Sequence, residues 1–434
     1  MRPIASRSSV ASTRADAAWG ELRLDQPPLG EPQPGEPRLS GAPDNARVDA
    51  CVYDTVELVV WSGTGNSRRV AERVAASARA GGAVAAVRAA ASAAAHATGD
   101  GAPRPAAADA DASATAGASS GAPPDTPPAP GRRLLGLLGP THGFTAPWPL
   151  VRAALTLPAV RGADAFVLVT RGAMRAGRWT LPGFEGTAAA LPAALLALRG
   201  ARVRGMGAVD MPQNWQVAFP AATPQATAAI VARGDARADA FAARLLRGGR
   251  AIGGWLQVAV GTLMLPLSLA YLLVARLMLA KAFFADERCT SCGACVAGCP
   301  HGAIQLLGPR QRPYWTFACH NCMRCMSRCP EEAIQGAQGW LLFYTFVAGL
   351  PVVAALAAAL AAALGVPSGW AAGTIRLLVG FGWIVVTVWV AYGLLWLALG
   401  LPGLRLVLAR TTLTRWYRRY RGPGRVGPAR RGPG

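Results

Sequence analysis

The sequence predicts an α/β doubly wound parallel sheet, then a small α+β unit built on a duplicated cysteine run, then a transmembrane α-helical hairpin. Three observations predict this. Short apolar runs alternate with helical segments between residues 51 and 220, and the first run ends in a glycine-rich turn. Eight of the nine cysteines fall between Cys289 and Cys329, in two copies of one spacing. Beyond them, Trp340–Val366 and Leu377–Leu401 carry no charged residue. Strands alternating with helices imply a parallel sheet, and 434 residues leave room for two or three domains.

The formal charge of +21 comes almost entirely from arginine, Lys281 being the only lysine, and Ala, Gly and Pro are inflated with it. Its location is more informative than its sum. No Asp or Glu follows Glu332, while Arg410, Arg415, Arg418, Arg419, Arg421, Arg425, Arg430 and Arg431 crowd the end. Interleaved with Trp416, Tyr417 and Tyr420, this tail imitates a nucleic-acid patch. Directly after hydrophobic spans it reads as a membrane-surface anchor instead, and no nucleic-acid partner is expected.

In chain order, residues 1–50 hold Pro, Gly, Ser and Arg without an apolar period and read as a disordered leader. Cys51 stands alone as a thiol without a ligand role. Val56–Trp61 is a short apolar strand that runs into Ser62-Gly63-Thr64-Gly65-Asn66-Ser67, and a helix follows from Arg68. A strand, a turn of glycines and hydroxyls, and a helix N-terminus together make an anion site, because free N–H groups converge there. No lysine follows the glycines and no G-x-G-x-x-G is present, so neither a triphosphate loop nor a dinucleotide fingerprint applies. The hexapeptide resembles the FMN-phosphate loop of flavodoxins, with Ser62, Thr64, Asn66 and Ser67 as donors.

Gly82–Arg88 reads as a second strand, and residues 89–133 as a low-complexity insertion with little to bury. Further strands follow at Leu134–Gly139, Ala165–Thr170 and Val203–Val209, with helices near Trp148–Leu155 and Gly186–Leu198. Ligands of such sheets lie beyond the carboxyl ends of the strands. A flavin ring is therefore expected against Thr141, His142, Gly143 and Phe144, and against Thr170, Gly172 and Met174. Asp210–Trp215 is similar to the segment that closes the flavodoxin half of fused flavodoxin-ferredoxin electron carriers. The resemblance covers about Val56–Trp215 and implies a flavodoxin-like fold with bound FMN, although the loops at Gly143 and Gly172 lack the usual stacking aromatic.

Residues 221–284 read as a linker helix and an apolar segment. Within it, Ala251–Ala275 is apolar enough to span a membrane, but Gly253, Gly254, Gly261 and Pro266 interrupt it and cations flank both ends. A broken or re-entrant segment is expected.

Residues 285–338 hold the cysteine runs. Cys289, Cys292, Cys295 and Cys299-Pro300 recur thirty positions later as Cys319, Cys322, Cys325 and Cys329-Pro330. This is the C-x2-C-x2-C-x3-C-P run of bacterial two-cluster ferredoxins. Zinc uses two C-x2-C pairs and disulfides need no such spacing; neither explains a third cysteine at the same interval in both copies. The resemblance implies two [4Fe-4S] clusters with an exchanged fourth ligand: Cys289, Cys292, Cys295 and Cys329 on the first, Cys319, Cys322, Cys325 and Cys299 on the second. Gly293 is expected to ease the approach of backbone to sulfur.

The uncharged stretches in residues 339–408 each exceed the roughly 20 residues needed to cross a bilayer. Their linker, Pro367–Gly373, has no positive charge, whereas Arg324, Arg328 and the tail, residues 409–434, flank the other ends. The positive-inside rule then places cofactor domains and tail on the cytoplasmic face of a bacterial inner membrane. The expectation is a membrane-tethered electron-transfer protein linking FMN to two clusters, with redox proteins or a quinone as partners. Alternatives are a flavin-dependent quinone reductase, and a subunit or assembly factor of a membrane complex whose α/β domain docks without flavin. No general acid or base stands out.

Overall fold

The computed structural model describes residues 50–90, 131–176, 179–253, 255–348, 352–366, 369–423 and 425–426. The expected leader up to residue 49 and the body of the insertion, 91–130, lie outside the described residues.

Six parallel strands form one sheet: β1 (Thr55–Val60), β2 (Val84–Ala89), β3 (Arg133–Pro140), β4 (Asp164–Gly172), β5 (Arg202–Met211) and β6 (Ala251–Ile252). Their spatial order is β2-β1-β3-β4-β5-β6, so the first five follow one of the two common doubly wound orders, with the switch point between β1 and β3. β4 is central and buried over its first eight residues, which is why Ala165–Val169 reads as an unbroken apolar run. Helix α1 (Asn66–Ala80) buries Val70, Ala71, Val74, Ala75 and Ala78, one face of a 3.6-residue period. α2 (Trp148–Thr156) and α3 (Ala190–Leu198) cover the opposite face.

The α/β unit runs further than residue 220. Helix α4 (Pro224–Leu246) begins on Thr223, whose side chain accepts from Ala226 N–H, with proline in its first turn. It packs beside α1, to which it is joined by Arg69–Asp235 at 2.6 Å and by Arg73–Asp239, and it leads into β6. Its alanine-rich sequence blurs the apolar stripe, so the boundary is not legible from periodicity. The apolar segment after it is a pair of helices, Leu256–Leu263 and Leu265–Leu273, bent by 66°.

The cysteine-rich unit is two copies of one small motif. Phe283–Ala285 pairs antiparallel with Ile334–Gly336, and Ile304–Leu307 with Arg312–Trp315. One short helix, Ala294–Ala297 or Arg324–Arg328, carries the third cysteine of each run, Cys295 or Cys325.

Among the described residues, one helix, Trp370–Ala398, is by itself long and apolar enough to cross a membrane. The expected hairpin of two uninterrupted spans is corrected here. Its first arm is two shorter helices, Gln338–Ala348 and Val352–Ala363; the sequence between them holds Gly349 and Pro351, both poor helix residues. Both lie against Trp370–Ala398. That helix begins before Leu377 and takes in Arg376. Its 29 residues reach about 43 Å at about 1.5 Å each, more than the roughly 30 Å of a hydrocarbon core. Towards its C-terminal end Val388, Tyr392 and Leu395 are buried against the cysteine-rich unit, where Tyr392 OH donates to Phe283 O at 3.0 Å.

The described part of the basic tail packs against the fold. After helix Pro402–Thr411, the chain from Thr412 to Gly422 returns over both folded units, and Arg419 and Tyr420 are almost fully buried. Arg415 pairs with Glu287 at 2.6 Å and Arg421 with Glu332 at 2.8 Å. A local charge count misses this because the compensating carboxylates lie far back in the sequence.

Candidate iron-sulfur centre

The two cysteine runs share a backbone as well as a spacing. Ser291 and Asn321 have φ of 57° and 54°, Gly293 and Met323 74° and 61°, Gly302 and Glu332 58° and 49°. Each pair is separated by thirty positions. Residues other than glycine take this left-handed conformation at a cost of about 1 kcal/mol or more, so the loop shape is imposed by the thiols it must deliver. Gly293 has nothing within 4 Å of the place a Cβ would take. Its φ of 74° is one that glycine adopts without strain, although Met323 takes the same conformation in the second copy.

Cys289, Cys292, Cys295 and Cys329 line one cavity together with Thr290, Pro313 and Pro330. Cys299 lies within electrostatic reach of Cys319 and Cys322. The folded chain thus brings Cys329 beside the first cysteine run and Cys299 near two cysteines of the second, while Cys295 also lies within electrostatic reach of Cys325. Ala303 N–H and Ala333 N–H each donate to the sulfur of the cysteine before proline, at 3.3 Å to Cys299 and 3.3 Å to Cys329, and Asn321 N–H donates to Cys319 at 3.4 Å. Among the described residues no three His, Cys, Asp or Glu side chains converge closely enough to hold a single metal ion. Thiols spread around a cavity, with N–H donors on the sulfurs, fit a cubane. Burial pushes the Cys319 thiol up to about 12 and those of Cys322 and Cys295 to about 11, so metal loading has to displace protons from these groups.

The two sets differ in surroundings. Cys292 is exposed, whereas Cys319 is buried. Over the second set lies a group of rings: Trp61 stands 5.3 Å from His142, 5.9 Å from His301 and 6.4 Å from His320, and the last two are 4.3 Å apart. Trp61 Nε1 donates to His301 Nε2 at 3.1 Å. Burial lowers His142 and His301 to about 4 and His320 to about 3, so the rings are neutral at pH 7. Trp61, His301 and His320 escaped the sequence reading; the positions of His301 just after Cys299-Pro300 and of His320 beside Cys319 were the available signal. Lys281, the sole lysine, is buried nearby, donates to Tyr314 OH at 3.2 Å and to Trp315 O, and faces the Tyr314, Phe317 and Tyr392 rings at 4.3 to 4.7 Å.

The sequence predicts an FMN-phosphate site in the loop after β1, and the side-chain groups of that loop are engaged within the chain. Ser62 Oγ accepts from Gly65 N–H at 3.2 Å. Thr64 Oγ1 accepts from Asn214 Nδ2. Asn66 donates to Pro212 O at 3.1 Å and accepts from Tyr420 OH. Ser67 and Thr170 bond to each other at 2.8 Å. Gly63 lies so close to the second cysteine loop that a Cβ there would sit 1.9 Å from Cys322 O, and Pro423 covers Gly65. On the flavin side, His142 Nδ1 and Tyr271 OH are 3.0 Å apart, the Tyr271 ring fills the space beside Gly143, and Gln213 stands against Gly172. Thr141 Oγ1 alone among these groups is buried without a partner. The side chains expected to hold FMN bond within the chain in this arrangement, which lends the flavin expectation no support.

Residues 288–334 match the family described as a 4Fe-4S dicluster domain. No curated protein matches the chain. The loops, the thiol sets and this match agree: the chain contains a 4Fe-4S dicluster ferredoxin domain.

Proposed function

We propose that this protein is a membrane-associated one-electron carrier. Cys289, Cys292, Cys295 and Cys329 hold one [4Fe-4S] cluster, and Cys319, Cys322, Cys325 and Cys299 hold the other. The α/β domain, flavodoxin-like in strand order, acts as a flavin-free platform for the second set. The observation that carries this reading is the contrast between the sets: Cys292 is exposed, while Cys322 is pressed against Gly63 beneath the Trp61 and histidine rings.

Each cluster, when bound, supplies transfer of one electron at a potential set by hydrogen bonds to sulfur and by burial. The chain's residues do the rest. Amides of Ala303, Asn321 and Ala333 hold negative charge on the sulfurs. Trp61, His142, Tyr271, His301 and His320 exclude water from the second set, and the loop through Cys292 leaves the first open to a partner, a redox protein or a quinone at the membrane. Helix Trp370–Ala398, with Leu377, Leu378 and Leu394 more than half exposed, supports a bilayer position, and the arginines flanking it favour a cytoplasmic ferredoxin domain.

The test is cofactor content of protein purified anaerobically in detergent. About eight irons per chain without flavin is the expected result. The same iron with one FMN would overturn the platform and restore a converter between two-electron and one-electron partners, a reading that rests on the Ser62–Ser67 loop. Zinc in place of iron would overturn both.

A further inference from the structure

A cleft of about 490 Å³ opens beside the first thiol set, lined by Cys289, Thr290, Ser291, Arg310, Arg312, Pro402 and Arg405, with Ala285, Asp286 and Glu287 at its back. The three arginines come from two elements that meet only in the folded chain: the turn and strand at 308–315 and the helix Pro402–Thr411. Among the described residues none of the three forms an ion pair with a carboxylate. The two acids are already engaged, Asp286 by Arg288 and Arg415 and Glu287 by Arg415 at 2.6 Å. Both acids are thus paired with arginines outside the cleft lining, Arg288 and Arg415, and Glu287 keeps Oε2 without a partner.

The arginines are placed, not loose. Arg312 donates to Trp396 O at 3.0 Å and its guanidinium lies 4.4 Å over the Trp396 ring. Arg310 donates to Gly400 O at 3.4 Å, and its own carbonyl accepts from Ser291 Oγ at 2.8 Å. Arg405 Nε is buried without a partner. Burial and the nearby charges of Arg405 and Arg310 push Arg312 below the usual arginine range. Three like charges held together at this cost are relieved by an anion, and guanidinium forks match the oxygens of a phosphate.

The position identifies the chemistry further. The cleft begins where the apolar helix Trp370–Ala398 ends, and the helix that forms its wall exposes Leu404 and Val407, with exposed Leu401 just before it. A basic pocket at the end of a spanning helix faces the headgroup layer. We infer that Arg310, Arg312 and Arg405 form a binding site for a phosphate group, supplied by an anionic phospholipid headgroup, at the edge of the first cysteine set. The anion site stands on the arginine geometry alone; the lipid source rests on the membrane reading proposed above.

The experiment uses the full chain in nanodiscs, with iron content and the visible cluster absorbance as a check on folding. Phosphatidylglycerol retained through delipidation is counted by native mass spectrometry for the parent protein, for Arg310→Gln/Arg405→Gln, for Arg310→Lys/Arg405→Lys, and for Arg233→Gln, an exposed control on α4. Arg312 is left in place because it also packs on Trp396. The expected result is retention at least fivefold lower in the glutamine pair, intermediate in the lysine pair and unchanged in the control, with clusters intact throughout. Displacement of the lipid by millimolar inorganic phosphate would also support the site and point to a free phosphate as its natural occupant. Equal retention in all four proteins, or selective loss of binding to an acidic redox protein with phosphate and lipid binding unaffected, would overturn it. Protein that stays soluble without detergent would fail the membrane reading, and inorganic phosphate binding would then still test the arginines.

Discussion

The hydroxyl of Tyr420 donates a hydrogen bond to Oδ1 of Asn66, 354 residues earlier in the chain and at the N-terminus of α1. Gln216 completes the clasp: its Oε1 accepts from Tyr420 N–H at 3.0 Å and its Nε2 donates to Tyr420 O at 3.1 Å and to Ser327 Oγ at 2.9 Å. The tail, the α/β domain and the ferredoxin domain meet at this point.

Removing the hydroxyl tests the clasp. Tyr420→Phe keeps the ring and leaves Oδ1 of Asn66, 6% exposed, without the hydroxyl that donates to it. A buried polar group left unsatisfied costs about 1–3 kcal/mol. Thermal unfolding should show that loss, and limited proteolysis should cut faster near residue 416; an unchanged midpoint would mean that the clasp contributes nothing.

Crossed ligation makes a prediction that the linear order of the cysteines does not. Cys299→Ser should lose the same cluster as Cys322→Ser, and Cys329→Ser the same as Cys292→Ser, each leaving about four irons per chain. EPR of the reduced variants distinguishes the two clusters. Grouping of Cys299→Ser with Cys292→Ser would refute the exchange.

Gly63 is the point where the loop after β1 meets the second cysteine loop. In Gly63→Ala the new methyl would stand 1.9 Å from Cys322 O, and backbone on one side gives it no side chain to displace. Overpacking of this kind costs about 1–3 kcal/mol or more. The expected outcome is faster loss of the second cluster in air, read by bleaching of its absorbance, with the first cluster less affected.

The ring group makes stability depend on pH. His142, whose ordinary value is 6.5, is lowered to about 4 by burial, and its neighbours are Trp61, Tyr271 and His320, with Arg276 and Arg324 nearby. Between about pH 6.5 and pH 4 the unfolded chain takes up a proton there and the folded chain does not, so stability falls as pH falls through that window and levels off below it. His142→Gln should show a shallower decline in unfolding midpoint over the same range; an identical slope would show that the ring is charged in the fold.

Much of the architecture was legible locally. A thiol spacing that recurs at thirty residues specifies its chemistry wherever it stands, because the loop that delivers three sulfurs is continuous in sequence. The strand and helix alternation was legible for the same reason, being a matter of period. Helix α4 was not, since its alanines and arginines carry little contrast until Asp235 and Asp239 meet Arg69 and Arg73.

The loop Ser62–Ser67 marks the limit. Its residues alone determined a strand, a sharp turn and a helix start, and those formed. Whether its donors face a phosphate or the protein was decided by Cys322, Pro212, Asn214 and Tyr420, between 146 and 354 residues away for those that bond to Asn66. The arginine tail was decided in the same way. Its charge was plain in the sequence, but its partners Glu287 and Glu332 were not. Covalent spacing carries the chemistry of a ligand run; hydrogen bonds and ion pairs between distant segments, which cost loop-closure entropy that only the whole fold offsets, decide what each surface is left free to bind.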